Sequence, residues 1–249
     1  MSGARPARRA GPWLAAAVIV LAAALAAIVL DRASGEGAAP RPPAERPPLL
    51  LLTSLPLLFG ETLSLEGGGS PALTALETRY RVVPIAVART AELRQGKLLL
   101  MAHPLAQPAE ALVELDAWVR QGGLVVLLAD PAMDWPSALP LGDKRRPPPA
   151  FADTGLLAHW ELRLEAPDER GPRQGAIGGR TVMTVSPGAL SGSCAIEGRG
   201  LVARCRLGLG QATVIADADF LNLDDLDGPT AGNLAALLEE LGRIEGAGV

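Results

Sequence analysis

The sequence has 249 residues, a formal net charge of -4 and an apolar fraction of 49%. This length and composition predict one globular domain with an appendage and enough apolar residues for a hydrophobic core. A nucleic-acid-binding protein would show a basic face, and no such charge block is present, so nucleic acid is excluded as a partner. Aromatic residues make up 3% of the chain, which argues against stacking platforms for bases or sugars. The abundance of arginine, alanine, glycine and proline indicates a GC-rich, bacterial origin.

Residues 11–30 form an uncharged apolar run that follows Arg5, Arg8 and Arg9. About 19 helical residues at about 1.5 Å each span about 28 Å, close to the hydrocarbon thickness of a bilayer. The run predicts a single transmembrane helix, with residues 1–10 in the cytoplasm because positively charged flanks stay inside. A cleaved signal peptide is the main alternative, and a buried core helix is another. Under the first two interpretations the rest of the chain is exported.

Residues 31–48 are predicted to be a linker, since five prolines lie there among glycine, alanine and charged residues. Dense proline lacks backbone donors and favours an extended conformation, which gives a semi-rigid spacer. Residues 49–245 are then an extracytoplasmic α/β domain, on the periplasmic side of the inner (cytoplasmic) membrane. The membrane and a protein of the envelope are the expected partners.

Short continuous apolar runs alternate with helical stretches in the first half of this domain. Such runs are typical of strands buried on both faces of a parallel sheet. The predicted strands are 49–53, 80–87, 97–102, 124–129, 160–165, 181–185, 192–197, 201–207 and 211–216, and the predicted helices are 71–79, 108–121, 154–159 and 233–241. This order predicts an α/β fold, a doubly wound, flavodoxin-like parallel sheet with an antiparallel hairpin added before its last parallel strand.

The two cysteines, Cys194 and Cys205, flank a predicted turn at Arg199–Gly200. If the chain folds back about that turn, the two residues are directly opposed, with Cβ atoms about 4.5–5.5 Å apart. A disulfide can form at that distance after a small adjustment, and export supplies an oxidising compartment. Free buried thiols and a catalytic cysteine are the alternatives. Two thiols without paired histidines do not predict a zinc site.

His103 follows the third predicted strand, at the edge where open α/β sheets bind ligands. It is therefore a candidate ligand-binding or catalytic residue, and a loop or capping role is the alternative. Catalysis would need a partner group, and the sequence has no Gly-x-Ser-x-Gly or Gly-x-Cys-x-Gly elbow. His159 is interpreted as a packing residue.

Aspartates also follow two of the predicted parallel strands. Asp130 comes after the fourth predicted strand, and Asp217 and Asp219 come after the last one. The acidic stretch continues with Asp224, Asp225 and Asp227. Carboxylates at this edge are candidates for holding a ligand or a divalent cation, although their spacing is not that of an EF-hand loop. The alternative is structural, because aspartate side chains bond nearby backbone amides in turns and caps. No resident metal or cofactor is predicted.

Three segments together resemble a known group of families: residues 49–56 (LLLLTSLP), 156–163 (LLAHWELR) and 208–221 (GLGQATVIADADFL). The last segment is similar to the closing strand of membrane-anchored families with a glutamine-amidotransferase-like domain. These families include Gld-type auxiliary components of gliding and ABC-transport systems and a related domain of unknown function. The resemblance implies a flavodoxin-like fold without the amidotransferase cysteine, and no cysteine lies at a strand-to-helix elbow of this sequence.

The missing catalytic motifs favour a non-enzymatic envelope protein. Its exported domain would bind a partner protein or a small ligand, as an auxiliary to a transporter or an envelope assembly. The alternative is a hydrolase or carbohydrate-modifying enzyme in which His103 acts with Asp130 or Asp217. A cleft in which these side chains converge would favour the enzyme. A spacer without a well-formed pocket is a third interpretation.

Overall fold

The computed structural model describes residues 39–59, 69–224, 226, 228 and 230–247. Its strands are β1 (Pro48–Thr53), β2 (Arg81–Pro84), β3 (Leu98–Ala102), β4 (Leu124–Leu128), β5 (Leu162–Glu165), β6 (Pro172–Ile177), β7 (Arg180–Val185), β8 (Ala189–Gly192), β9 (Ala195–Glu197), β10 (Val202–Leu207) and β11 (Gly210–Ile215). Its helices are α1 (Pro71–Glu77), α2 (Thr90–Leu93), α3 (Ala109–Arg120), α4 (Leu156–His159) and α5 (Asn233–Gly246).

Seven of these strands form the central sheet, in the order β2-β1-β3-β4-β11-β10-β9. The pairs β1–β2, β1–β3, β3–β4 and β4–β11 are parallel, whereas β10 runs antiparallel to both β11 and β9. Two further antiparallel ribbons, β5–β8 and β6–β7, come from the segment between β4 and β9. The predicted α/β class with a parallel sheet at its core is therefore confirmed.

Helices cover both faces of the parallel part of the sheet. Leu49 and Leu51 of β1 pack in one cluster with α1 and α5. Leu50 and Leu52 pack on the opposite face with α2, α3 and α4. Because each buried leucine contributes about 1.5–3 kcal/mol, both faces of the strand favour apolar residues. This is why β1 has a continuous apolar sequence and not an alternating one.

Some elements differ from the sequence-based prediction. The predicted strand 192–197 is shorter in the structure: Gly192, with a φ of 142°, is the last residue of β8, and β9 begins at Ala195. The structure also contains β6, which no apolar alternation predicts. All but two of the residues of β6 are exposed, so this strand is stabilised by pairing with β7 and not by a buried face.

The end of the predicted linker packs against the domain. Arg41 donates to Glu245 at 2.8 Å, and its guanidinium lies 5.3 Å from the centre of the Tyr80 ring. Pro43–Glu45 forms a short 3-10 turn. Residues 39–48 therefore pack as part of the folded unit.

The predicted transmembrane helix has no counterpart in the described structure. Across residues 39–59, 69–224 and 230–247, no helix is long and apolar enough to cross a bilayer. The predicted span itself, residues 11–30, lies outside the described residues.

A disulfide joins Cys194 and Cys205. β9 and β10 pair so that Val202 faces Glu197. This is the register expected for a turn at Arg199–Gly200, and its continuation puts the two cysteines opposite each other. The bridge therefore ties the short edge strand β9 to the rest of the sheet.

Replacing both cysteines with alanine is expected to lower the free energy of unfolding. The bridge joins residues 11 positions apart, and closing a loop of that size in the unfolded chain corresponds to about 3 kcal/mol. Urea denaturation of the oxidised protein, the reduced protein and the double variant measures this difference. The reduced protein should match the double variant, and equal stability of all three would contradict the expectation.

Candidate functional site

The predicted site residues lie at the carboxyl edge of the parallel strands. His103 follows β3, Asp130 follows β4, and Asp217 and Asp219 follow β11. All four are buried, with at most 2% of the residue exposed. Their position agrees with the expectation, and their burial determines what they can do there.

His103 holds the proline-rich loop that follows β4. Its Nε2 lies 2.9 Å from the carbonyl oxygen of Pro148, so this nitrogen carries the proton and donates it. Its Nδ1 is buried and has no hydrogen-bond partner among the described residues. Burial lowers the pKa of His103, because the charged ring would lose its hydration. The ring is therefore a neutral, buried loop anchor.

Asp130 connects the loop after β4 with the loop after β11. Its Oδ1 accepts the backbone N–H of Ala132 and its Oδ2 accepts that of Ala218, both at 2.9 Å. Burial raises the pKa of Asp130 to about 6, although these hydrogen bonds favour the charged form. The Asp130 side chain thus holds the backbone of these two loops in place.

Asp217 also accepts hydrogen bonds from the backbone amides of two separate segments. Its Oδ1 accepts the N–H of Phe220 at 2.8 Å, and its Oδ2 accepts the N–H of Val185 in β7 at 3.0 Å. Burial, followed by the neighbouring charges of Asp130 and Asp219, raises the pKa of Asp217 well above its ordinary value. Asp217 therefore joins the end of β11 to the β6–β7 ribbon.

Asp219 has one satisfied and one unsatisfied oxygen. Its Oδ2 accepts the backbone N–H of Asp134 at 2.7 Å, whereas its Oδ1 is buried and without a hydrogen-bond partner in the described part of the chain. Burial, followed by the charge of Asp130, raises the pKa of Asp219 to about 7. We call Asp130, Asp217 and Asp219 the buried acidic cluster.

The buried acidic cluster and His103 do not form a catalytic arrangement. Within the described residues, no hydrogen bond joins His103 to Asp130 or Asp217, and no group of three or more His, Cys, Asp or Glu residues could hold a metal ion. Asp225 and Asp227 lie outside those residues. The contacts are those of the structural alternative, in which the carboxylates bond backbone amides.

A cavity of about 470 Å³ opens beside the carboxyl end of β11. Its wall is formed by residues 165–168, 173–176 and 187–189, together with Thr181, Thr184, Gly198, Arg199 and Leu201. Gly188 fixes its position, because its N–H donates to the carbonyl of Ala216 at 2.8 Å, directly after β11. A Cβ on Gly188 would lie 2.6 Å from Pro131, so only glycine allows this close approach. The buried acidic cluster does not line the cavity.

Charged side chains of both signs line this cavity: Glu165, Asp168, Arg173 and Arg199. The side chains of Glu165, Asp168 and Arg199 make no hydrogen bond or ion pair with the rest of the described chain. Arg173 pairs at 3.3 Å with Glu169, and both side chains are at least half exposed, so that pair is weak. The wall thus offers two carboxylates and two guanidinium groups to a ligand.

None of these four residues is a candidate in the sequence-based prediction. They belong to the segment between β4 and β9, which adds two ribbons to the sheet. The length of this segment indicates added structure, since a simple crossover between neighbouring parallel strands needs far fewer residues. The Gly198–Gly200 tripeptide was a second signal, because an arginine between two glycines indicates a tight turn that presents the arginine.

A second cavity of about 510 Å³ lies near the disulfide. Arg120 and Arg204 line it, but Arg120 donates to Asp116 and Arg204 donates to Glu240, both at 2.8 Å. His159, predicted to be a packing residue, lies here with 58% of its side chain exposed and its Nε2 3.2 Å from Asp116. Three of the five ionisable side chains around this cavity are thus paired within the domain, and Glu161 and Arg206 are the other two. Around the cavity beside β11 only one of four is paired, so that cavity is the stronger candidate site.

Comparison with known proteins yields similar folds only. No family model and no curated sequence matches the chain. The N-terminal domain of mmIFT52 is similar in structure, with a TM-score of 0.50 and 13% identity over 78% of this chain and 97% of that one. An exo-β-1,4-mannosidase from Opitutaceae bacterium strain TAV5 has a TM-score of 0.43 and 12% identity over 82% of this chain and 35% of that one. The GH42 β-galactosidase Gan42B from G. stearothermophilus has a TM-score of 0.47 and 14% identity over 82% of this chain and 30% of that one.

These comparisons correct one prediction. The sequence predicts a glutamine-amidotransferase-like protein, whereas the domain matched at a TM-score of 0.50 is an IFT52 domain. The chain spans about a third of the length of the two glycosidases. At this identity the likeness to the IFT52 domain shows a shared fold and nothing about activity.

Proposed function

We propose that this chain is a non-catalytic binding protein of the cell envelope, whose α/β domain binds a small ligand or a partner segment in the cavity beside β11. The observation that carries the proposal is the cavity itself. Its volume of about 470 Å³ falls within the range of about 300–1,000 Å³ that ligand pockets occupy. It lies at the sheet edge where α/β proteins bind ligands. The described residues of its wall include no histidine, cysteine or serine.

The proposal includes a flavodoxin-like sheet and an exported domain. The parallel strands have the order β2-β1-β3-β4-β11, which corresponds to the 2-1-3-4-5 order of flavodoxin-like sheets and supports that class. The disulfide between Cys194 and Cys205 supports an exported domain, since such bridges persist in oxidising compartments.

Filling the cavity should abolish binding without unfolding the domain. Ala176 lines the cavity on exposed β6, so Ala176→Trp places a large side chain there. Leu209→Trp is the matched control, because Leu209 is 83% exposed and lies at the opposite edge of the sheet. Thermal-shift screening of amino acids, short peptides and oligosaccharides against the full chain measures binding. We expect a ligand that raises the Tm of the wild type and of the control but not of Ala176→Trp. Failure of every class to bind the wild type would contradict the proposal.

Glycoside hydrolysis is a second candidate function, favoured by one observation. Glu165 and Asp168 lie on the wall of the same cavity, and glycosidases use two carboxylates that flank the scissile bond. A panel of nitrophenyl glycosides, esters and phosphates tests this candidate. Turnover that is lost in Glu165→Gln would establish it in place of simple binding. Turnover lost in His103→Ala would instead restore the histidine-based enzyme that the sequence suggests.

A further inference from the structure

The charges around the cavity are balanced, and the two signs come from different elements. Glu165 and Asp168 come from the end of β5 and the loop that follows it, whereas Arg173 comes from β6 and Arg199 from the turn between β9 and β10. A ligand with one sign of charge would be repelled by half of this wall. A ligand that carries both signs can pair with all of it.

Arg199 has an additional property that indicates a role in binding. Its φ is 57°, in the left-handed region where glycine is favoured and where other residues cost on the order of 1 kcal/mol. The turn already uses glycine on both sides, at Gly198 and Gly200. Local folding therefore does not explain the arginine, and its guanidinium has no partner within the described chain. Such a group is suited to a ligand carboxylate, which the planar guanidinium binds through two hydrogen bonds.

The rest of the wall narrows the class of ligand. Its described residues include no aromatic side chain on which a sugar ring or a base could stack, while a hydroxyl group is supplied by Thr181 and an amide group by Gln174. Peptide groups bond well to side chains of this kind. The volume of about 470 Å³ accommodates several residues of peptide but not a folded partner.

We propose that the cavity beside β11 binds a zwitterionic ligand, a short peptide with free termini, with Glu165 and Asp168 holding the ammonium group and Arg199 and Arg173 holding the carboxylate. This inference rests on the proposed binding function and gives it a ligand class. An amino acid is the smallest member of the class, and a tripeptide fills the volume better.

Calorimetry on the full chain with trialanine and its blocked forms tests the proposal. N-acetylation removes the positive charge, C-amidation removes the negative charge, and each should weaken binding by about tenfold or more because a charge-assisted pair is lost. Arg199→Gln should weaken the binding of trialanine to a similar degree. This variant should bind trialanine and its C-amidated form with equal affinity. A Glu165→Gln, Asp168→Asn double variant should bind trialanine and its N-acetylated form with equal affinity. Because each variant should lose discrimination at one terminus of the peptide only, the result separates direct charge pairing from general damage to the fold.

The outcomes are distinguishable from failure of the binding function. Equal affinity for the free and the blocked peptides, or unchanged discrimination in the variants, would overturn the zwitterion assignment. Absence of trialanine binding would overturn it as well. If an oligosaccharide or another neutral ligand then bound in a way that Ala176→Trp abolished, the binding function would stand and the ligand class would be wrong.

Discussion

Replacing Glu240 with glutamine is expected to lower the free energy of unfolding by about 3 kcal/mol or more, because it breaks a buried ionic network. The Glu240 side chain, on α5, is 1% exposed. It accepts hydrogen bonds from Arg204 at 2.8 Å, from Thr213 at 2.7 Å and from Arg243 at 3.0 Å. Burial alone would raise its pKa, but these donors outweigh burial and lower the pKa of Glu240 to about 2. The variant would leave Arg243 without its counter-ion and Arg204 with only the half-exposed Glu197.

The neighbouring residue supplies a matched control for this experiment. Glu239 pairs with Arg180, but 38% of its side chain is exposed, so Glu239→Gln should cost less than about 1 kcal/mol. Urea denaturation at pH 7 compares the two variants with the wild type. The network should also weaken as the pH falls from about 4 towards 2, since Glu240 then becomes protonated in the folded state. Equal losses in the two variants would contradict a special role for the buried carboxylate.

The buried acidic cluster should make the domain less stable as the pH rises. The folded-state pKa is about 6 for Asp130 and about 7 for Asp219, whereas unfolded aspartate titrates near 3.9. Between about pH 4 and 7 the folded state therefore binds more protons than the unfolded state, so stability falls with pH over that window. At about 1.4 kcal/mol per unit, the loss between pH 5 and pH 8 should be on the order of 2–4 kcal/mol.

Asp219→Asn tests whether the cluster causes this dependence. The amide can still accept the N–H of Asp134 but cannot ionise, so the variant should lose less stability between pH 5 and pH 8 and should be more stable than the wild type at pH 8. Asp143→Asn is the control. Hydrogen bonds from Arg145 hold the pKa of Asp143 below its ordinary value, so Asp143 stays charged throughout this range. Denaturation curves across the range measure the slope, and an unchanged slope in Asp219→Asn would show that other groups are responsible.

Particular local patterns made the core of the fold predictable. The continuous apolar runs of β1, β3, β4 and β11 predict strands covered on both faces, and both faces are covered. The Arg199–Gly200 turn predicts the register of the hairpin, and Val202 faces Glu197 as that register requires. The strand β6 has no such pattern, because it is stabilised by its partner strand and not by its own burial.

Position at the carboxyl edge of the sheet was also predictable for His103 and the aspartates, since strand order and direction place them there. Their use was not. Asp130 accepts a hydrogen bond from Ala218, 88 residues away, and His103 bonds Pro148, 45 residues away. Neither partner can be inferred from local sequence. A carboxylate that meets backbone amides in the interior holds loops, whereas the same carboxylate facing a cavity could bind a ligand.

The sequence by itself determined the α/β class, the parallel core, the hairpin register and the edge at which polar side chains gather, because each depends on apolar periodicity and turn chemistry within short segments. The tertiary structure alone decided that the conspicuous aspartates are buried and bonded to backbone. It also decided that Glu165, Asp168, Arg173 and Arg199 meet around one cavity. Burial, charge pairing and cavity shape depend on contacts between segments far apart in the chain, and those contacts exist only once the domain has folded.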